Sequence, residues 1–444
     1  MRDFAELVIN KALREGADHA EAFAVESDRL SVEVEKWEPK IGTAYTDRGL
    51  GLRVIVGGAV GFAYTTSFTP QSAENLVKRA ISVAKLRRGE ISLESFASGR
   101  PKIRVEGIYD EDTASIPARR LIDDLKGVVD KARSTSDKLK SLSASISVSS
   151  SRVLIVNSEG LEVGYSKTLA SAYVSVVAEE GGVTSTGYDY ASACRYADLD
   201  FAGLTEKAVD TAVSHLKREP LEGGTLTVIL EPEALRDLLV YALLPATFAN
   251  NVQEGRSFLR NKLGRELFSA KLTIIDDATI PSGVGSRPFD DEGVESRKLT
   301  IVRNGVLNAY LYDLIRARKD SVESTGHAAR GYSSEPRIAF SNVVLEFGDK
   351  ASLDEMINEV KRGLVVRSLV GAHTSNPATG SFSVAVNHGY IIRNGELGPA
   401  VKTAMIAGSI AEILKEIKLS SREEVWRGRL KLPYLLIGKM SVST

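Results

Sequence analysis

Tight glycine turns between short apolar segments restrict this sequence to folds built on antiparallel strands. Gly57-Gly58 separates the stretches GLGLRVIV and AVGFAYTT, and Asn-Gly pairs lie at 304–305 and 394–395 inside IVRNGVLNAY and IIRNGELGPA. Such pairs favour two-residue β-hairpins because both central residues adopt positive φ, which matches the twist of the flanking strands. The two Asn-Gly segments are similar through either an internal duplication or chance, and both alternatives stay open. In either case they predict a second half that is rich in β-structure.

Helical segments accompany these strands in the first half of the chain. Thr69-Pro70 combines an N-cap with a first-turn proline, which predicts a helix that ends near Gly89. Further helices are predicted from Pro117 to about Arg133 and from Leu204 to Leu216. Between them, a block rich in Val, Ile, Ser and Tyr at 142–177 indicates more antiparallel strands. The mixture gives the α+β fold class.

A polar, glycine-bearing joint at 219–224 divides the chain. With 444 residues the sequence exceeds the size at which one hydrophobic core stops growing, so two domains are expected. We predict an N-terminal domain over 1–220, with an antiparallel sheet and helices, and a β-rich C-terminal domain over 221–444. The second domain begins with a buried strand, TLTVIL, followed by a helix in EPEALRDLLVYALL.

The charge balance argues against several classes of function. The 57 Lys and Arg residues nearly cancel the 58 Asp and Glu, for a formal net charge of -1. The counterion release that drives nucleic-acid binding therefore has no evident source. The longest apolar run, Leu238 to Ala249, is too short to span a bilayer and contains Pro245. The single cysteine, Cys194, fits a reducing compartment. We expect a cytoplasmic protein that binds neither nucleic acid nor membrane.

The histidines do not form a recognisable metal motif. Zinc peptidases usually hold two His ligands on one helical face beside a glutamate, and none of the five histidines here has such neighbours. A zinc site assembled across the fold from His327, His373 and His388 is one alternative, and ordinary polar histidines are the other. His327 and His373 lie in the small-residue loops STGHAARG and GAHTSNPATG, which are either ligand-binding loops or plain turns. No nucleophile elbow, phosphate loop or dinucleotide fingerprint is present, so no cofactor is predicted.

The richest polar segment is GSRPFDDEG. Asp290, Asp291 and Glu292 lie there between glycines in a predicted loop, together with Arg287, and Arg297 follows downstream. Three adjacent carboxylates can act as acid and base groups or bind a hard cation. Alternatively, they pair with the two arginines and stiffen the loop. The sequence leaves both interpretations open.

Several long segments match one family in order and in separation. They are NVQEGRSFLRNKLG, LTIIDDATIPSGVGSRPFDDEGVESRKLTIVRNGVLNAYLYDLIRARK, STGHA and LVGAHTSNPATGSFSVAVNHGYIIRNGELGPAV with IAGSI, together with GLGLRVIVGGAVGFAYTT near the N-terminus. In these segments the chain resembles the PmbA/TldE branch of the TldD/PmbA family, and the resemblance covers nearly the whole chain. It implies a two-domain α+β protein that acts in cytoplasmic proteolysis and in peptide maturation.

The resemblance also implies which metal ligands this chain lacks. In the TldD branch a His-Glu-x-x-x-His helix and a C-terminal Cys bind zinc. When the chain is aligned on the RSF segment at 256–258, the two His positions fall on Val240 and Pro245, and the Glu position falls on Tyr241. When it is aligned on the Leu-Pro pair at 432–433, the Cys position falls on Arg427. None of these side chains can ligate zinc or serve as its general base. The resemblance therefore implies no metal and no catalytic residue in this chain, with zinc only in a TldD-like partner.

The function that the resemblance implies is that of a subunit. The chain would pair with a TldD-like subunit as a heterodimer or larger assembly, or form a homodimer when alone, and would handle unfolded peptide. The candidate peptide-site or loop residues are Arg287, Asp290, Asp291, Glu292, His327, His373 and His388. One alternative is an independent homo-oligomeric peptidase or hydrolase that uses the 290–292 carboxylates with His327 or His388. Another is a protein-binding modulator of the DNA gyrase type.

Overall fold

The first half of the chain forms one antiparallel sheet. The computed structural model describes residues 1–40, 42–89 and 92–444. The strands of the first sheet are β1 (His19–Glu35), β2 (Glu38–Pro39), β3 (Thr43–Val56), β4 (Ala59–Thr65), β5 (Leu139–Asn157), β6 (Glu162–Glu180) and β7 (Val183–Ala193). Their order is β4-β3-β1-β5-β6-β7, with β2 paired to the end of β1. The long β1 pairs with β3 on one side and with β5 on the other, and so joins two hairpin units into one surface.

Helices cover one face of this first sheet. They are α1 (Arg2–Arg14), α2 (Pro70–Leu86), α3 (Glu111–Ala114), α4 (Ala118–Thr135) and α5 (Phe201–Ser214). Side chains alternate along a strand, and in β3 Leu50, Leu52 and Val54 are buried in the core beneath α1 and α2. The intervening Gly51 and Arg53 lie on the opposite face, which meets the second half of the chain. The first sheet is thus covered on both faces.

The second half is built on a larger mixed sheet. Its strands are β8 (Arg218–Glu219), β9 (Gly224–Leu230), β10 (Leu272–Asp277), β11 (Lys298–Arg303), β12 (Val306–Leu307), β15 (Val343–Phe347), β16 (Lys350–Ala351), β17 (Arg362–Val370), β18 (Ser381–Arg393), β19 (Glu396–Val401), β20 (Met405–Ser409), β21 (Ile417–Arg427) and β22 (Leu430–Ser443). A separate two-stranded pair consists of β13 (Ala328–Ala329) and β14 (Arg337–Ile338). The buried β9, with Val228, Ile229 and Leu230 fully covered, pairs with β17 in parallel and with β22 antiparallel near the middle of the sheet.

Short helices pack around this sheet. They are α6 (Pro232–Leu238), α7 (Ala249–Gln253), α8 (Leu314–Asp320), α9 (Leu353–Asn358) and α10 (Ile410–Lys415). The helix predicted in EPEALRDLLVYALL is α-helical only as far as Leu238; a π-helical turn (Leu239–Leu243) and a 3-10 turn (Leu244–Thr247) follow. Pro245 accounts for the change, because it has no N–H to donate and its ring clashes with an α-helical turn. The predicted continuous helix is therefore wrong in its second half.

The tight turns predicted from sequence are confirmed. Gly57-Gly58 joins β3 to β4 with φ values of 57 and 80°. Asn304-Gly305 joins β11 to β12, and Asn394-Gly395 joins β18 to β19, with φ values of 49, 80, 53 and 81° in chain order. Positive φ at both central residues is the conformation that the Asn-Gly and Gly-Gly pairs favour. Local backbone preference therefore sets the register of these hairpins.

The α+β fold class is confirmed, with antiparallel strands and helices in the first half and a β-rich second half. The helices predicted to begin at Pro70, near Pro117 and near Leu204 are observed as α2, α4 and α5. The domain division at 220/221 stays a prediction. In the part of the chain that the structure describes, no helix is both long enough and apolar enough to cross a membrane.

Candidate functional site

The two halves of the chain meet at a network of buried charges. The Oε1 atom of Glu292 accepts a hydrogen bond from Nη1 of Arg53 at 2.6 Å, and its Oε2 accepts the backbone N–H of Leu314 at 2.8 Å. Arg53 also donates from Nε to Oε1 of Glu21 at 2.9 Å. The side chains of Glu21, Arg53 and Glu292 are all 0% exposed. A charge removed from water is tolerated only when it is paired, so each of these groups depends on the others.

Arg330 completes this network. Its Nη2 lies 2.5 Å from Oε1 of Glu21, and its guanidinium lies over the Phe23 ring at 4.5 Å from the ring centroid. The Arg330 side chain is 1% exposed, and among the described residues its Nε and Nη1 have no hydrogen-bond partner. The network thus joins two arginines and two glutamates from both halves. Sequence reasoning missed Glu21, Arg53 and Arg330, because the contacts that join the halves link residues 239 and 309 positions apart and no local pattern specifies them.

A close backbone approach accompanies the charge network. Tyr332 packs on the face of β3 that carries Gly51, where a Cβ would lie 2.5 Å from the Tyr332 carbonyl oxygen. The Tyr332 hydroxyl donates to Oδ1 of Asp47 at 2.7 Å. Glycine is required at position 51 because any side chain would displace this loop. The GLGLR segment therefore forms part of β3 and also allows the second half of the chain to pack closely against that strand.

Asp290 is a fully buried residue that organises its own loop. Its Oδ1 accepts the backbone N–H groups of Glu292 and Val294, and its Oδ2 accepts that of Ala328, each at 2.9 Å. Burial, followed by the nearby charge of Glu292, raises the pKa of Asp290 to about 7. All three donors are main-chain groups of the loop or of β13, so this carboxyl holds the two segments together.

Asp291 and Glu292 face in different directions from the same loop. Asp291 forms an ion pair with Nη1 of Arg287 at 3.1 Å and accepts the backbone N–H of Arg330 at 2.8 Å. Glu292 points into the buried network instead. Arg297 does not pair with this loop but donates to the Ser324 carbonyl at 2.9 Å. The expected pairing with arginine is thus observed for Arg287, while Arg297 has another partner.

His327 is buried beside Asp276. Its Nε2 lies 3.6 Å from Oδ1 of Asp276, and its Nδ1 lies 2.8 Å from the Thr325 hydroxyl. Asp276 is itself fully buried and accepts the backbone N–H of Ser341 at 2.9 Å. His327 lies in the predicted small-residue loop and orders it through these contacts.

His388 lies at the seam between the two halves, together with His215. The Nε2 of His388 donates to the Thr186 carbonyl at 2.7 Å, and its Nδ1 accepts from the Ser368 hydroxyl at 2.8 Å. His215 lies edge-to-face with it at 4.7 Å between ring centroids. Burial lowers the pKa of each imidazole to about 4, and the charge of His388 adds to the effect on His215. Both ring nitrogens of His388 are occupied, so neither is free to ligate a metal.

His373 lies apart from the other two candidate histidines. It is exposed on a 3-10 turn (Ala372–Thr374), with its ring edge-on to Tyr241 at 6.5 Å between centroids. Tyr241 is 37% exposed, and the adjacent Val240 packs against the core of the second half. The loop that contains His373 therefore lies beside Tyr241, the position at which the resemblance places the glutamate base.

Arg427 is buried at the end of β21 and is held by acids. Its Nη1 donates to Oδ1 of Asp189 at 2.7 Å and to the Tyr190 carbonyl at 3.3 Å. Its Nε lies 3.6 Å from Oε2 of Glu233, which lies on α6. Asp189 and Tyr190 belong to β7 of the first sheet, so Arg427 forms a second ionic link between the halves. A guanidinium suits this position because it remains charged when buried.

Family models match the chain along most of its length. The PmbA/TldA metallopeptidase domain 1 matches residues 20–84, the central domain matches 111–216 and the C-terminal domain matches 223–444. The chain belongs to the PmbA/TldD metallopeptidase family. Within this PmbA/TldD protein, the first two matched regions share the first sheet, and the third contains every strand of the second sheet except β8. The recognition made from sequence is confirmed.

Individual relatives agree with the family assignment. An uncharacterized protein of Methanocaldococcus jannaschii is 33% identical, with 96% of this chain and 97% of that protein covered. The metalloprotease PmbA of Escherichia coli O157:H7 is 26% identical over 96% of this chain and 92% of its own length. The crystal structure of TldE from Thermococcus kodakarensis matches with a TM-score of 0.89 at 25% identity, covering 99% of this chain and all of that one.

The zinc that the metallopeptidase family implies does not fit this PmbA/TldD chain. Val240 and Pro245 have hydrocarbon side chains, Tyr241 projects to the surface, and Arg427 carries a positive charge already paired with Asp189. A cation cannot replace a thiolate ligand, because zinc requires lone-pair donors. Across 1–40, 42–89 and 92–444, no three His, Cys, Asp or Glu side chains cluster as a metal site would require. The alternative site built from His327, His373 and His388 is therefore not assembled.

Proposed function

We propose that this chain is the non-catalytic, TldE-like subunit of a cytoplasmic metallopeptidase complex whose zinc is held by a TldD-like partner. Arg427 is the observation that carries the proposal. Where the resemblance places a zinc-binding thiolate, the chain has a guanidinium held by Asp189 at 2.7 Å. A positive charge at this position opposes the binding of a second cation. The likeness to TldE of Thermococcus kodakarensis, over nearly the whole chain, supports the same assignment.

The proposed substrate is unfolded peptide, handled jointly with the partner. Strand addition at a sheet edge would hold an extended peptide through its backbone, with little dependence on side chains. In the described part of the chain, β7 pairs with β6 and with no other strand, so its outer side is a candidate edge. This chain would contribute an assembly surface and part of the peptide chamber, while the partner would contribute the hydrolytic chemistry.

Reconstitution tests the proposal. The chain and a TldD-like protein from the same source are purified separately and mixed, and zinc per chain is measured by mass spectrometry. Cleavage of an unfolded, fluorescently labelled protein is followed in parallel. We expect less than stoichiometric zinc on this chain alone, and cleavage only by the mixture. Zinc-dependent cleavage by this chain alone would refute the assignment, as would a failure of the two chains to associate at any concentration tested.

An independent hydrolase based on the 290–292 carboxylates receives less support from the geometry. Asp290 and Glu292 are 0% exposed, and each carboxylate already accepts hydrogen bonds at both oxygens. A general base must reach the proton that it abstracts. Asp291 is the member of the set that lines an open cavity, and it is paired with Arg287. If the isolated chain hydrolyses peptide and Asp291→Asn abolishes that activity without unfolding, this alternative replaces the subunit proposal.

A further inference from the structure

A cavity of about 700 Å³ lies between the first sheet and the loops of the second half. One wall comes from β5 and β6, with Val153, Lys167 and Leu169 pointing away from the helix-covered face. The other wall comes from the second half and includes Phe340 and Arg429. The cavity is distinct from the positions at which the resemblance places zinc ligands, because none of those residues lines it.

Lys167 lines this cavity without an ion-pair partner among the described residues. Its Nζ donates to the carbonyl oxygens of Val284 at 2.6 Å and Ser286 at 2.8 Å. No carboxylate forms an ion pair with it anywhere in the described ranges. An ammonium has three N–H donors, so these two carbonyls leave one donor for another partner. Placing a lysine on the inner face of a sheet without an acid costs stability, which indicates a role other than folding.

Two arginines from the second half join Lys167. Arg429 lies on the short turn between β21 and β22, and Arg337 lies on β14; both line the cavity. Neither side chain forms a hydrogen bond or an ion pair with any residue that the structure describes. These two guanidinium groups and the lysine ammonium come from three separate elements and face one space. Guanidinium groups form bidentate hydrogen bonds with carboxylate or phosphate oxygens.

The acids that line the cavity do not neutralise these three cations. Asp291 is paired with Arg287 at 3.1 Å, and Glu335 is paired with Arg87 at 2.5 Å. Arg330, which also lines the cavity, is paired with Glu21. Each lining acid therefore has its own arginine. The excess of positive charge that remains is carried by Lys167, Arg337 and Arg429.

We propose that this cavity binds a carboxylate attached to an apolar body, with Lys167 and Arg429 as its principal ligands. The cations supply the charge-assisted donors, while Val153, Leu169 and Phe340 provide the apolar surface that a bare inorganic ion would leave uncovered. Two sources carry this chemistry: the free carboxyl terminus of a peptide and a small organic acid. The ligand would contact both halves of the chain at once. This binding does not depend on the subunit role proposed above.

Calorimetric titration of the full-length chain tests the site with four probes. They are an acetylated tripeptide that ends in phenylalanine with a free carboxylate, its C-terminal amide, hippurate and inorganic phosphate. We expect the tripeptide acid, hippurate or both to bind, and the amide to bind at least tenfold more weakly than its acid. Binding of the tripeptide acid alone identifies a peptide terminus, whereas binding of hippurate alone identifies an organic acid. Equal binding of acid and amide, or binding of phosphate alone, overturns the proposal.

Matched substitutions test whether the carboxylate probe binds in this cavity. Lys167→Met and Arg429→Met should each weaken the carboxylate probe at least tenfold, whereas Lys402→Met and Arg265→Met, exposed positions outside the cavity lining, should leave it unchanged. Arg429 lies on an exposed turn, so its variant keeps the test valid if Lys167→Met fails to fold. Unchanged affinity in Arg429→Met would overturn the proposal.

Discussion

Arg53 and Glu292, separated by 239 positions in the chain, form a fully buried ion pair with 2.6 Å between Nη1 and Oε1. The pair joins β3 of the first sheet to the carboxylate loop of the second half. Glu21 binds Arg53 and Arg330 binds Glu21 in turn, so docking of the two halves buries several charges together. The loop that sequence patterns identify as chemically richest is thus used to connect the halves of the molecule.

Removing one member of this network should be strongly destabilising. Arg53→Met leaves Glu21 and Glu292 buried with reduced compensation, so we expect the free energy of unfolding to fall by about 3–5 kcal/mol. Urea unfolding followed by circular dichroism measures the change. The matched control is Glu94→Gln, which removes an ion pair with Arg318 at the surface and should cost at most about 1 kcal/mol. Equal effects of the two substitutions would contradict a structural role for the network.

Gly51 should be required for docking of the halves. Gly51→Ala places a Cβ 2.5 Å from the Tyr332 carbonyl oxygen, and because backbone cannot move aside cheaply we expect a loss of about 1–3 kcal/mol. Gly127→Ala is the control, since Gly127 lies in α4, where an added Cβ would meet no atom within 4 Å, and alanine favours helix. That substitution should stabilise the protein by about 0.5–1 kcal/mol. Thermal unfolding of both variants compares them, and stabilisation by Gly51→Ala would rule out the close approach.

The histidine pair at the seam should make stability sensitive to mild acid. His215 and His388 have folded-state pKa values of about 4, below the ordinary value of 6.5, because both are buried. The folded state therefore binds fewer protons than the unfolded state between these values, and stability falls as pH drops from 6.5 towards 4. The slope reaches about 1.4 kcal/mol per pH unit for each histidine. In an NMR titration, two imidazole signals should remain neutral at about pH 5.5; protonation of all histidines by that pH would contradict the prediction.

Lys167 should produce a pH dependence in mild base. Burial, assisted by the charges of Arg429 and Arg287 and opposed by Cys194 and Asp291, lowers its pKa from 10.5 to about 8. Between these values the unfolded state binds more protons, so stability rises with pH in this window by up to about 1.4 kcal/mol per unit. The stability of the wild type relative to Lys167→Met should therefore increase from pH 8 to about pH 9.5. A constant difference between the two proteins would mean that the lysine is not desolvated.

Restoring the expected thiolate should not restore zinc binding. Arg427→Cys supplies one ligand, but Val240 and Pro245 still offer none, and a protein zinc site needs at least three. We expect well below one zinc per chain by mass spectrometry, and a loss of stability of about 2 kcal/mol or more because Asp189 loses its guanidinium partner. Stoichiometric zinc on this variant alone would show that other residues complete a site.

Much of the fold was predictable from the sequence because its turns and helix caps depend on residues only a few positions apart. Asn304-Gly305 and Asn394-Gly395 specify hairpins because their positive φ values match the twist of antiparallel strands. Thr69 caps α2 through a hydrogen bond from the Ser72 N–H, an arrangement that the sequence indicates directly. The π-helical turn before Pro245 does not follow from the apolar pattern, although the proline that explains it is visible in the sequence.

By itself the sequence determined the α+β class, the hairpin turns, the family, and the absence of zinc-ligating side chains at Val240 and Pro245, since these depend on local backbone preference or on side-chain chemistry alone. Only the tertiary structure decided that Arg53 meets Glu292, that His388 uses both ring nitrogens, and that Lys167 faces Arg429 across a cavity. Each of these relationships includes a contact between opposite halves of the chain, which for His388 is the hydrogen bond to Thr186. No local pattern specifies such contacts, because their energies arise from burial and charge pairing when the two sheets dock.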